Sequence, residues 1–214
     1  MTIPRLAKLD DVVLKGRNLT LYNEAVRHCG GSRPWQSFKC VECRQLLSLA
    51  QLASCMTVLK LSIDSTFRAM ISLEVPVPLT PDAQGRHRVV RGATLVLEYP
   101  EEALRLPLAG TGFVVIRTPR GVFHPNVSSE DMGIREGLGI QILCLGTKLA
   151  ARTPVKEIVL QSWAALNGQS VQVDPRDHAG VLNDKAAAYW MTHIDELPLS
   201  TEPFLDLDTG NVEE

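Results

Sequence analysis

Arg117-Thr118-Pro119-Arg120-Gly121-Val122-Phe123-His124-Pro125-Asn126-Val127 and, downstream, Gln141-Ile142-Leu143-Cys144-Leu145-Gly146 are the stretches on which the reading of this chain turns. Pro125 pushes His124 out of the helical region, so His-Pro-Asn reads as a turn. An amide-bearing turn residue upstream of a cysteine suits one chemistry well. The thiolate accepts an acyl group as a thioester and later leaves when an amine attacks. The Asn126 amide can donate to the oxyanion formed in that attack. Each feature also has a plainer reading. Asn126 can serve as a turn residue bonded to nearby backbone, and Cys144 can be a small buried hydrophobe between Leu143 and Leu145.

Outward from this pair, the chain alternates strand and helix signals. Residues 68–75 read as a strand ending before Pro76 and Pro78. Pro81-Asp82-Ala83-Gln84-Gly85 reads as a turn. Val89 to Tyr99 and Phe113 to Arg117 are the next strands, and short polar connections favour an antiparallel meander. Asn18 to His28 is a helix candidate closed by Gly30-Gly31, and Arg44 to about Lys60 is a second, carrying Leu46, Leu47, Leu49 and Leu52. Thr153 is placed to cap a helix opened by Pro154, with Val155, Ile158, Val159 and Leu166 on one stripe and Asn167-Gly168 as its end. Asn183 is placed to cap a last helix whose apolar side includes Ala187, Tyr189, Trp190 and Ile194.

Taken in order, these motifs resemble the ubiquitin-conjugating enzyme family, from about Ala93 to Trp190. Thr94-Leu95-Val96-Leu97-Glu98-Tyr99-Pro100 is similar to the family's third strand with its aromatic-Pro end. Phe113 to Thr118 is similar to the fourth strand, which leads to His-Pro-Asn. Cys144-Leu145 falls at the family's catalytic Cys-Leu. Arg152-Thr153-Pro154 resembles the Trp-Ser/Thr-Pro before the next helix. Asp174-Pro175-Arg176-Asp177 resembles the Asn-Pro-x-Asp loop beside the active site. Leu182-Asn183 and Ala186-Ala187-Ala188-Tyr189 resemble the Pro-Leu-Asn and Ala-rich helix that follow. The resemblance implies an α+β, UBC-like fold: an antiparallel four-stranded meander flanked by helices, with an enlarged helical N-terminal region and an acidic tail. The implied division is 1–66 as N-terminal helical extension, 67–196 as conjugating-like core and 197–214 as acidic flexible tail.

The chain also departs from that pattern. The span from Asn126 to Cys144 is roughly twice the family's, and the insert Ser128 to Gln141 carries Gly133, Gly137 and Gly139 with Glu130, Asp131 and Glu136. This composition reads as an extended loop beside the site. Gly146 stands where the family has Asp, Arg152 stands where it has Trp, and only Pro107 remains of its Pro-Pro pair.

On the family resemblance, Cys144 takes the acyl group of a ubiquitin-like modifier from an activating enzyme and passes it to an amine of a target protein. Thioester exchange is nearly thermoneutral and needs access and some thiolate rather than a strong base. Asn126 stabilises the oxyanion or holds the loop over Cys144, and His124 fixes the position of Asn126 through its ring, with direct proton transfer as the alternative role for it. Asp177 orients the incoming lysine and, with partial desolvation, favours loss of its proton; its plainer reading is a cap, and His178 is an alternative to it. The expected setting is a bacterial carrier similar to those of Bil-type antiphage operons. The alternative is a catalytically inert member of the fold that scaffolds a modifier or partner, for which the presence of Cys144 is the adverse sign.

Bulk properties set bounds. Net charge is −2, giving no electrostatic case for nucleic acid or an anionic membrane. The first residues carry charges where a signal peptide has an apolar run, and no stretch is apolar enough to span a bilayer; a cytoplasmic protein is expected. Five cysteines without a secretion signal favour reduced thiols. Cys40-Val41-Glu42-Cys43 has the spacing of half a zinc site, with His28-Cys29 upstream and Cys55 alone, but no second tight pair accompanies it. Buried thiols in a helical region are the favoured reading, and no metal or cofactor is assigned.

Overall fold

Val89–Tyr99 carries the period-two pattern most cleanly: Ala93, Leu95, Leu97 and Tyr99 are buried, and their neighbours are not. In the computed structural model, which describes residues 6–129, 140–169, 180–196 and 203–205, this strand is the centre of an antiparallel sheet. Its members are β1 (Met56–Ser62), β2 (Phe67–Pro78), β3 (Val89–Tyr99), β4 (Val114–Thr118) and β5 (Gln141–Leu143), adjacent in chain order. The helices are α1 (Gly16–Arg27), α2 (Arg33–Leu52), α3 (Val155–Leu166) and α4 (Asp184–Thr192). The protein is α+β, and its meander has five strands where four were expected.

Two of the five strands are not announced by the sequence: β5, just after the insert, and β1, from a stretch that reads as helix. The helix expected over Arg44 to Lys60 begins earlier, at Arg33, and stops at Leu52, where Ala53 N donates to Leu49 O at 3.0 Å. The chain then turns, and Met56–Ser62 pairs with β2 from Met56↔Leu73 to Ser62↔Arg68. The sheet offers Met56 and Val58 a buried face, which outweighs the helical preference of the preceding leucines. The opposite end of β2 departs from expectation in the other direction. Pro76 and Pro78 continue the strand, opposite Arg91 and Val89. Pairing with β1 ends at Leu73, and at Pro78 the same side of β2 takes a bond from Phe123 N to Pro78 O, which uses the proline carbonyl and not the missing N–H.

One face of the sheet is covered by α2 and α3. Phe67, Ala69, Ile71 and Leu73 from β2 meet Cys43, Leu46, Leu47 and Leu49 from α2 and Ile158 and Val159 from α3 in one buried cluster. Burying each large apolar side chain in it contributes roughly 1.5–3 kcal/mol before entropy is counted. Trp35, Phe38, Tyr99 and Phe113 join it as a run of rings with centroids 5.2–6.2 Å apart.

Two buried charged residues of α2 fix how that helix sits. Lys39, fully buried, donates from Nζ to Gly30 O at 2.8 Å, Ile63 O at 2.7 Å and Asp64 O. Three donors meet three carbonyls, so the ammonium is satisfied without a carboxylate. It also lies 5.1 Å from the Trp35 ring centroid. Glu42 Oε2 accepts from Val155 N at 2.7 Å, the first residue of α3. Thr153, expected to cap that helix, instead donates from its hydroxyl to Ala150 O at 2.8 Å. Asn183 does cap α4, accepting from Ala186 N at 3.1 Å. Of the stretch 197–214, read as a flexible tail, residues 203–205 are described, and there the chain is docked. Phe204 is buried edge-to-face against Trp163 at 5.5 Å, and Cys55 Sγ donates to Phe204 O at 3.4 Å.

Burial pushes the Glu42 carboxyl above its usual range; the Val155 N–H and Lys156 act against the shift. The folded protein therefore holds this proton more tightly than the unfolded chain. The contribution is complete below the unfolded pKa and is lost as pH rises through the folded one. Glu42→Gln keeps an acceptor for Val155 N, so its stability relative to wild type is expected to grow as pH rises above the carboxylate range. Glu42→Ala leaves that N–H unpaired and is expected to cost about 1–2 kcal/mol. Melting curves of the three proteins between acid and neutral pH check both, and a pH-independent gap between Gln and wild type would rule the titration out.

Candidate active site

The loop after β4 is tied down along its length. Thr80 N donates to Gly121 O at 2.7 Å, Phe123 N to Pro78 O at 2.8 Å, and Trp190 Nε1 to Phe123 O at 3.0 Å. His124, Pro125 and Asn126 follow, all buried. Pro125 O accepts from Leu182 N at 2.8 Å and Asn183 N at 3.1 Å, which fastens the approach to α4.

The chain then runs beside the strand that delivers the cysteine. Cys144 N donates to Asn126 O at 2.8 Å, Ser128 N donates to Ile142 O at 2.9 Å, and Val127 bridges to Leu143. Asn126 and Cys144 are thereby brought side by side, across the long insert. Cys144 is 4% exposed. Its Sγ points at Gly146 O, 3.5 Å away, a weak contact. Gly146 has φ +106, a conformation that favours glycine, and it turns the chain out of the strand.

Asn126 uses its amide locally. Nδ2 donates to Gly180 O at 3.2 Å, while Oδ1 is buried without a partner among the described residues. One Nδ2 hydrogen remains for a second acceptor. His124 Nδ1 accepts from Asn126 N at 3.2 Å, so the neutral ring carries its proton on Nε2. Among the described residues Nε2 has no partner at hydrogen-bonding geometry. Burial holds the ring's pKa down at about 4, with the backbone of Ala165 acting the other way. His124 is thus a neutral support for Asn126 at ordinary pH. Asp174, Asp177 and His178 lie outside the described residues, as does most of the insert.

Sequence reasoning passed over several residues that shape this site. Gln141, Ser128 and Gly110 are the main ones. In the sequence, Gln141 and Ser128 mark only the ends of the insert. Gln141 does share its strand parity with buried Leu143, the one signal that pointed it inward. Gly110 lies under the cysteine turn, where Leu145 N donates to Gly110 O at 3.3 Å. A Cβ there would lie 2.9 Å from Leu145 C and still closer to Gly146 O. Arg152 has φ +63; its N–H donates to Ala103 O at 2.8 Å and its Nε to Leu104 O at 3.2 Å.

The N-terminal thiols do not converge on one point. Cys29 and Cys40 are in contact, Sγ to Sγ at 3.9 Å, while Cys55 is engaged with Phe204 O. Burial pushes the Cys43 thiol up to about 12, which opposes ligation as thiolate. Among the described residues no group of three or more His, Cys, Asp or Glu could hold a metal ion, and no helix is long and apolar enough to cross a membrane. No family model, no curated protein and no solved structure matches the chain.

Two outcomes follow from this geometry. The folded-state pKa of His124 lies below its usual 6.5, so its contribution is present above that value and is lost as pH falls towards about 4. His124→Asn, which still offers an acceptor to Asn126 N, is expected to flatten the acid limb of the stability profile over that window. Chemical denaturation at stepped pH reads this, and an unchanged slope would refute a buried neutral ring. Gly110→Ala is expected to cost about 1–3 kcal/mol through overpacking and to change the rate at which Cys144 reacts with an aromatic disulfide. Unaltered stability together with an unaltered rate would show that the turn does not rest on Gly110.

Proposed function

We propose that this chain is a conjugating-type acyl carrier with a UBC-like fold. It accepts a ubiquitin-like modifier as a thioester on Cys144 and transfers it to an amine of a target protein. One observation carries the reading: the Cys144 N to Asn126 O bond, which sets an amide-bearing turn beside the cysteine. The antiparallel meander and the order of the motifs along it support the same reading.

In the loading step the Cys144 thiolate attacks the carbonyl carbon of the donor thioester. The new C–S bond forms, the old one breaks, and the donor leaves as its thiolate. In discharge an amine attacks the same carbon. The tetrahedral oxyanion accepts a hydrogen bond from the free Nδ2–H of Asn126, the C–S bond breaks, Cys144 leaves as thiolate, and the amine's proton passes to base or water. Asp177 is the proposed residue to orient that amine. Activating enzyme, modifier and target are the implied partners, in the cytoplasm of a bacterium, with antiphage defence as the proposed setting.

A second reading, an inert scaffold of the same fold, is favoured by the 4% exposure of Cys144 and by the Asn126 amide being bonded to Gly180. Reactivity separates the two. Wild type is treated with S-phenyl thioacetate and, separately, with ubiquitin bearing a C-terminal thioester as surrogate donor. A reductant-sensitive adduct that maps to Cys144 and disappears in Cys144→Ala is expected. Discharge of the preloaded protein to free lysine is expected to slow on the order of 100-fold in Asn126→Ala, with loading little changed. An adduct on Cys29 or Cys40, or none on Cys144, would overturn the carrier reading.

A further inference from the structure

We propose that Gln141 is a positioning residue for acyl transfer, an inference that rests on the carrier reading above. Gln141 is 2% exposed, in the strand that reaches Cys144. Its side chain grips the turn-bearing loop on both flanks. Oε1 accepts from Val122 N at 2.8 Å, and Nε2 donates to Val122 O at 3.0 Å and to Ser128 O at 2.6 Å. Val122 precedes His124-Pro125-Asn126, and Ser128 follows it.

The amide stands in for a peptide unit of a neighbouring strand. It pairs with both backbone groups of Val122, as a ladder partner would. Ser128 adds the reciprocal contact, its Oγ accepting from Ile142 N at 2.8 Å. The loop bearing Asn126 and the strand bearing Cys144 are therefore joined by side chains as well as by the Cys144 N to Asn126 O bond. All three polar atoms that Gln141 holds are backbone atoms away from water, so an unmatched replacement leaves them unpaired. Gln141 touches no reacting atom. It acts by holding the Asn126 amide at a fixed place relative to the thioester carbon.

The chemistry of the amide gives a discriminating variant. Gln141→Glu preserves shape and the acceptor for Val122 N but sets a carboxylate against the carbonyls of Val122 and Ser128. Protonation of that carboxyl restores one donor. Wild type and variant are acylated with S-phenyl thioacetate, and single-turnover discharge to lysine is compared with the acylation rate across pH, at temperatures where melting curves show both folded. Acylation is expected to change little, and discharge to fall on the order of tenfold to 100-fold, with the deficit shrinking as pH falls. Gln141→Met, which keeps the length of the side chain and removes all three bonds, is expected to lower the discharge-to-acylation ratio without pH dependence; it carries the test if the Glu variant does not fold. A ratio equal to wild type in the folded variants, whatever their melting temperatures, would leave Gln141 a structural residue only and overturn the inference. Failure of wild type to be acylated on Cys144 would instead overturn the carrier reading, and the positioning role with it.

Discussion

A short backbone ladder between residues 126–128 and 142–144 is the constraint on which the site depends. Side chains in a ladder alternate, so its register decides which of Leu143 and Cys144 enters the core. As formed, Leu143 and Val127 are fully buried, and Gln141 shares their side. A slip by one residue would exchange Leu143 with Cys144 and pull the Gln141 amide from three backbone partners. Register here is held by apolar burial and by a polar clamp at once, and both select the arrangement that sets Asn126 beside Cys144. Because the ladder closes the base of the connection between β4 and β5, added length beyond Ser128 need not disturb it; loop-closure entropy rises slowly with length.

The region before β1 supports the site from behind. Lys39 and Glu42 would be expensive in the core if unpaired. Each is matched by backbone instead: carbonyls around Asp64 for the ammonium, the start of α3 for the carboxylate. These bonds are directional, so they specify the placement of α2 where apolar contacts alone would permit sliding. Glu42 sets the first turn of α3, and the far end of that helix brings Ala165 near the His124 ring. His124 then accepts from Asn126 N. A chain of ordinary contacts thus runs from the α2 helix to the backbone of Asn126, beside Cys144.

What could be read from the residues followed from local chemistry. The strand Val89–Tyr99 was legible because period-two burial dominates it. The Asn183 cap was legible because a cap is a contact within one turn. The helix boundary near residue 53 was not, since Leu46, Leu47, Leu49 and Leu52 continue smoothly towards Met56, and only pairing with β2 makes Met56–Ser62 a strand. Thr153 failed as a cap for a similar reason. The group that replaced it, Glu42, lies far upstream, and no local rule names a partner at that distance. At the site, His124, Asn126 and Cys144 stood out by residue type and order. Gln141 and Gly110 did not, because their roles exist only where two distant loops meet.

The burial of Cys144 bears on both readings of the function. A thioester carrier faces opposed demands: the acyl group must be kept from water, yet reached by donor and amine. The floor beneath Cys144 is backbone against backbone, with Gly110 O receiving Leu145 N and no room for a Cβ. Moving that floor would disturb the ladder itself. Turning the thiol is a smaller change, since its contact to Gly146 O is a weak 3.5 Å interaction and a cysteine rotates about a single side-chain bond. A rigid floor with an easily released sulfur is what thioester exchange asks of a carrier.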